Sequence, residues 1–435
     1  MMERAKKSFL TTSSLVFALT SFHAFSNEQS TAYQDVNSFG GPAETGAILE
    51  GDNQPKYPHF RVPSLDGSMN SWQAYKDKIA EDTGFKFGLD FTSISHTLSD
   101  TLDGTEDSAH SYVARFYGKW ALVNKDNQNT GSLTFKVDHR NAWGNELPVA
   151  SLGGNAGYYS QTAYLFSDKG NLLVDLNWQQ KLNDGKTGFI VGKFDPNDFF
   201  DVLGYATPWT AFNNLDTSLN MSIALPDNSY GFGAGHWLSD NWYLLGAVND
   251  ANGTVDTNDP FEEGFDELYK TVELGWSPSA DERYFKNFHV TLWQMDDHTA
   301  YGESNTQRDG SEGIVFGANW TWDLEWMLFT KFGLSDYNSE SVNNPQLYEK
   351  DVKLGFLKYF KQRSDLLGAS VSHGILPDEF VDALGTHDSQ TTLDIFYRIQ
   401  LAQRVAITPN LQFLKVADKS VDDTKVFGIK FRITL

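Results

Sequence analysis

A transmembrane antiparallel β-barrel of about sixteen strands is the fold that three features of the sequence predict. Beyond Gly84, apolar and polar residues alternate with the strand period of two, in segments of roughly ten residues, the length a tilted strand needs to cross a bilayer. The links between these segments alternate between short and long. No apolar run is long enough for a membrane-spanning helix, and only 40% of the 435 residues are hydrophobic.

Composition narrows the function classes. With 14% aromatic residues and 36 dispersed glycines, the chain has the means to bury a core and is not a disordered one. Its 34 Lys and Arg against 57 Asp and Glu give a net charge of −23, a field that excludes nucleic acid as a partner. Zero cysteines exclude disulfides, thiolate metal sites and a cysteine nucleophile.

Residues 1–26 read as a signal peptide: Arg4, Lys6 and Lys7 precede an apolar stretch through Leu15, Val16, Phe17 and Leu19, which ends at Ala24, Phe25 and Ser26. Residues 27–83 read as a polar leader, irregular to about Met69. It closes with a short amphipathic helix over about 71–83, in which Trp72, Tyr75, Ile79 and Ala80 recur at helical spacing before Gly84. Residues 84–435 form the barrel. Its strands are placed near 85–97, 111–124, 131–143, 171–182, 188–194, 230–237, 242–250, 268–276, 288–296, 313–323, 326–335, 348–358, 365–373, 390–401, 405–415 and 424–435. Short links such as Asn183 to Thr187 and Ala402 to Arg404 form periplasmic turns. Long ones such as Gly144 to Gly170 and Asp195 to Ser229 form extracellular loops.

Parity assigns the faces. Phe427, Ile429, Phe431, Ile433 and Leu435 share one side of the last strand, and Lys430, Arg432 and Thr434 the other. The apolar side must meet hydrocarbon, where a Lys or Arg at the midplane costs roughly 2–4 kcal/mol. By the same rule Lys136, Asp138, Arg140, Asp394 and Arg398 face the lumen, which at this strand number is wide enough for water.

Other motifs carry less. Gly231, Gly233 and Gly235 in GFGAGH have no following helix, so a phosphate cradle is rejected in favour of glycines making room for a plug or loop. Asp250, Asn252, Thr254, Asp256 and Asn258 have the odd-position spacing of a calcium loop but lack its central glycine and twelfth-place Glu. A solvated acidic loop is expected, with calcium at Asp250, Asn252 and Asp256 the alternative, and no other cofactor. Neither an HExxH pair nor a GxSxG elbow occurs, so no enzyme is predicted.

Three segments resemble the carbohydrate-selective porin (OprB) family. Gln179 to Phe200, QQKLNDGKTGFIVGKFDPNDFF, is similar to a family hairpin with a Gly-Lys turn and a Gly, basic, Phe, Asp, Pro ending. Phe212 to Gly253 is similar to a stretch with an Asn-rich start, the Leu225–Pro226 pair, a glycine-rich strand and AVNDANG. Phe396 to Leu414, FYRIQLAQRVAITPNLQFL, is similar to the penultimate hairpin, and the helix from Trp72 to Thr83 matches the region before the first strand. The chain departs in ending on Leu435 rather than an aromatic residue.

The resemblance implies an outer-membrane channel of a Gram-negative bacterium for passive diffusion of sugars. Its surroundings would be lipid and lipopolysaccharide, and its state monomer or homotrimer. Sugars need charged or amide groups for their hydroxyls and aromatic rings for their C–H faces. The candidates are Arg115, Asp138, Arg140, Lys193, Asp195, Trp209, Trp293, Asp394 and Arg398, with the links 144–170 and 195–229 folding inward to narrow the pore. A general diffusion porin without a sugar site, a barrel enzyme and a secreted lectin are the alternatives.

Overall fold

The computed structural model describes residues 39–125, 128–204, 207–224, 226–256, 265–300, 306–336 and 345–435. The expected signal peptide, the start of the leader and much of the acidic link after Asp250 lie outside them.

Among the described residues sixteen antiparallel strands close a barrel. They are β1 (Phe85–Leu98), β2 (Ser108–Val123), β3 (Gly131–Ala142), β4 (Gly170–Leu182), β5 (Thr187–Phe194), β6 (Ser229–Trp237), β7 (Trp242–Asp250) and β8 (Leu268–Trp276). The second half is β9 (Lys286–Met295), β10 (Ser311–Trp322), β11 (Trp326–Asp336), β12 (Lys350–Phe360), β13 (Asp365–Ile375), β14 (Ser389–Ala402), β15 (Val405–Lys415) and β16 (Thr424–Thr434). Each pairs with its sequence neighbour, and β1 closes on β16 from Asp90↔Thr434 to Leu98↔Val426. A separate two-stranded ladder, His298–Ala300 with Thr306–Arg308, rises from the β9–β10 link.

The parity rule holds around the wall. Phe427, Ile429, Val137 and Leu354 are exposed on the outside, while Lys430, Arg432, Asp138 and Lys353 are buried inside. Near the short turns Trp242, Trp322 and Trp326 remain exposed and Trp276, Phe288 and Trp320 form a chain of ring contacts, the aromatic girdle expected where a barrel meets the membrane interface. The turns are tight because a few residues take left-handed conformations: Asn183 (φ 54°) and Asp184 (φ 56°) between β4 and β5, Asp323 and Leu324 between β10 and β11.

The leader differs from the irregular segment expected. It contains two helices, α1 (Thr45–Asn53) and α2 (Pro63–Thr83). Helix α2 starts at a Pro, which has no N–H to leave unsatisfied, and is therefore longer than the helix read over 71–83. It ends at Gly84, whose φ of 78° suits the left-handed cap. Helix α1 begins where the Glu44 carboxylate accepts from the Gly46 and Ala47 N–H groups.

The two helices divide the space at the short-turn end. Trp72 of α2 packs edge-on against outward-facing Phe87, 6.0 Å between ring centroids, and Trp120 donates to the Thr83 carbonyl, so α2 sits on the rim. The segment 39–53 runs inside the lumen. Ile48 and Leu49 pack among Ile94, Val113, Tyr117 and Trp209, and Phe39 packs on Trp237 and Leu245. Gly235 makes that possible, since a Cβ there would stand 2.7 Å from the Phe39 ring. The lumen at this end is thus filled by residues 39–44 and α1, while α2 stays on the rim.

Candidate functional site

The link between β5 and β6 enters the lumen and crosses it, held by charged side chains from the far wall. Lys430 donates to the Pro208 carbonyl at 2.7 Å, the Ala211 carbonyl at 3.2 Å and Asn213 Oδ1 at 2.7 Å. Asp394 accepts from the N–H groups of Asn213 and Asn214 and from the Thr217 hydroxyl. Lys353 donates to the carbonyls of Asp216 and Leu219, and Asp351 accepts from the Met221 N–H. Asp201 reaches Lys331 at 2.7 Å and His289 at 2.9 Å. Charges buried in a lumen without such partners would be costly, so most inward charge here secures the loop.

Among the spaces the loop leaves open, two cavities adjoin Trp209. The larger, of about 500 Å³, lies toward the long loops and is lined by Arg115, Lys136, Asp138, Arg140, Asp195 and Trp209, among others. The smaller, of about 100 Å³, lies toward the short turns under α1. Trp209 lines both, with Pro42 from the plug and Thr207 from the loop, so the narrowing between them is built from the loop and the plug together.

The geometry around Trp209 is tightly specified. The Arg115 guanidinium stacks on the Trp209 ring with its central carbon 3.6 Å from a ring centroid, a cation–π contact, and Phe166 meets the ring edge-on at 5.9 Å. Arg115 pairs with Asp90, and Asp90 also takes Arg432 at 2.6 Å. Arg432 in turn holds Asp52 of α1 at 2.8 Å, and the Tyr117 hydroxyl donates to Asp52 at 2.5 Å. Burial alone would push the Asp52 carboxyl up, but Arg432 and Tyr117 outweigh it and hold it below the usual carboxylate range. Arg115 and Asp138 are direct partners across the β2–β3 ladder, and each keeps one buried polar atom unpaired: Nη1 of Arg115 and Oδ1 of Asp138.

On the larger cavity's other side the loop presents carboxylates. Lys136 holds Asp175 at 2.8 Å and Asp198 at 3.4 Å. Burial, with Asp198 and Asp227 nearby, pushes the Asp195 carboxyl up to about 8. Burial pushes Asp198 up to about 6, with Asp175 adding and Lys136 opposing. Asp201 goes the other way, because Lys331 and His289 outweigh its burial.

Of the nine residues picked from the sequence, Arg115, Asp138, Arg140, Asp195 and Trp209 come together on the larger cavity. Arg398 lines the smaller one. The other three do different work. Lys193 donates to the Val255 carbonyl at 3.1 Å and so supports the β7–β8 link. Asp394 anchors the crossing loop. Trp293 is packed with Ile223, Tyr269 and Met295 beneath it. Parity places such side chains inside the wall but cannot say that a loop covers them. Parity places Lys136 and Arg432 in the lumen but the sequence did not single them out for the site, Asp90 was legible by the same parity, and Asp52 and Lys56 lie in the leader and carry no periodic signal. In the acidic link, Asp256 pairs with Lys169 at 3.0 Å and the Asn252 amide donates to Glu267, and no group of three or more possible metal ligands occurs among the described residues.

A family model described as carbohydrate-selective porin, OprB family, matches residues 133–435. The chain is similar to the high-pH structure of Pseudomonas putida OprB, with 14% identity, 84% of this chain and 97% of that chain covered, and a TM-score of 0.65. The low-pH structure of the same protein matches with 12% identity, 84% and 97% coverage and a TM-score of 0.47. A mutant of the Rh. blastica porin matches with 13% identity, 80% and 100% coverage and a TM-score of 0.47. No curated protein sequence matches this chain.

Proposed function

Because this chain belongs to the carbohydrate-selective porin, OprB family, and is a sugar-selective channel of the Gram-negative outer membrane, we propose that its solutes are recognised where Arg115, Asp138 and Trp209 meet. The observation that carries this is the shared lining of a cavity of about 500 Å³, where the Arg115 guanidinium and the Asp138 carboxylate, neighbours across the β2–β3 ladder, come together beside Trp209. One is a donor only and the other an acceptor, so a single hydroxyl can accept from the first and donate to the second. Adjacent hydroxyls of a sugar ring can repeat the pattern on Arg140 and Asp195. Trp209 supplies an apolar surface at the same level.

The chain performs no chemistry on the solute in this reading. A sugar exchanges its water for these groups, stays briefly, and leaves, because each contact is worth only about 0.5–1.5 kcal/mol net. The outer belt meets lipid and lipopolysaccharide, as a monomer or a homotrimer.

Current through the reconstituted channel tests the site. Mono- and disaccharides should reduce it in a saturable, concentration-dependent way, and liposomes carrying the channel should swell faster with a fitting sugar than with an uncharged polyol of equal size. A current indifferent to saturating sugar would sink the reading and leave a general diffusion pore.

A further inference from the structure

The smaller cavity has a different charge from the larger one. Its lining includes Lys56, Arg363, Arg398, Arg404 and Arg432, with Asp52 the sole carboxylate among its described residues. Arg432 is committed to Asp52 and Asp90. Three others are bound only to neutral oxygens: Lys56 Nζ donates to the Gly51 carbonyl at 2.6 Å, Arg398 Nη2 to the Ser364 carbonyl at 3.3 Å, and Arg404 to the Asp52 carbonyl and the Gln73 side chain at 2.6 and 2.7 Å. Arg398 Nε is buried with no partner.

A cluster of cations held together by the wall, the turns and the plug, with positive charge left over, is built at the expense of mutual repulsion. The repulsion is visible at Lys56, whose ammonium is pushed down to about 7 by burial and then by Arg398, with Arg432 and Arg404 acting the same way and Asp52 alone opposing. An anion in the cavity would relieve it.

We propose that this inner cavity is a binding step for the carboxylate of an acidic sugar, a uronate, passing the narrowing at Trp209. The inference rests on the reading of the lumen as a sugar path and adds the solute's charge to it. A cavity of about 100 Å³ takes the carboxylate end of such a solute while its ring remains at Trp209. Arg398 and Arg404 line the cavity and each guanidinium has more N–H groups than these bonds use, and charge-assisted bonds from them to a carboxylate are about twice as strong as those to a hydroxyl.

The test is block of ion current through the full-length channel in a planar bilayer, with glucuronate, glucose and glucose 6-phosphate added separately on the short-turn side. Glucuronate should reach half-block at about one tenth the concentration of glucose, the gain of one charge-assisted contact. Lys56→Gln and Arg398→Gln should each bring that ratio toward one. Equal block by glucuronate and glucose in the native channel overturns the proposal, whatever the variants do, and tighter block by glucose 6-phosphate than by glucuronate overturns its carboxylate specificity. Block by glucuronate with no block by any neutral sugar would instead sink the Trp209 hydroxyl site and leave the anion site standing.

Discussion

At the scale of single residues, the lumen separates charges that line a cavity from charges that hold the loop. Arg115 and Asp138 line the larger cavity, whereas Lys430, Asp394 and Lys353 spend their hydrogen bonds on loop backbone. Arg115→Gln and Asp138→Asn should therefore each raise the half-blocking sugar concentration about two- to tenfold, the worth of one hydrogen bond, as read from current titrations. Trp209→Ala should increase single-channel conductance and weaken sugar block together, since the ring both narrows the path and offers the apolar surface. Asp195 and Asp198 make the outer cavity sensitive to pH. Their carboxyls, pushed up to about 8 and about 6, are faced by Asp227, Asp175, Glu44 and Lys136. Raised values mean that both are protonated in acid and gain charge as pH rises, so cation selectivity measured as reversal potential should increase from about pH 5 to about pH 9. Asp195→Asn should flatten the upper part of that curve. The identities of these residues were legible by parity or loop position, but which atoms stay unpaired was not, because it depends on partners brought in from links whose paths have no sequence period.

Elements show the same division. Strands announce themselves because one face is solvated by lipid and the other by water, and every reading from Phe85 onward falls within a few residues of the observed strand. Helix α2 was legible only in its second half, since residues 63–70 carry just Leu65 and Met69 as large apolar side chains, too few for a helical period, and its start is marked by Pro63 alone. Helix α1 was missed entirely: Ile48 and Leu49 are its few apolar anchors, and it is held by Glu44, which accepts from the Gln179 amide, and by Asp52, which pairs with Arg432. Removing residues 39–53 should raise single-channel conductance, because that segment fills the short-turn half of the lumen. Trp72→Ala, on the rim helix, should leave conductance near the native value. Equal effects of the two changes would contradict the assignment of the plug to α1.

For the whole molecule, the apolar belt and the water-filled interior explain how a chain that is 40% hydrophobic crosses a membrane. A charge on the belt should be costly: Leu354→Arg, at an exposed outward position, should destabilise the folded barrel by about 2–4 kcal/mol in lipid vesicles, measured by denaturant titration. The net charge of −23 likewise does not describe the lumen, where the outer cavity is rich in carboxylates and the inner one in cations. Strand number, closure, the inside and outside of each strand and the family were all determined by the sequence alone, because a period of two imposed by two solvents repeats in every strand. Tertiary structure alone decided the leader's part in the narrowing and which of the inward charges are spent on holding the loop. Those features arise from a loop and a leader folding back into the lumen, and their positions are set by single ion pairs and hydrogen bonds between residues hundreds of positions apart, such as Asp52 with Arg432.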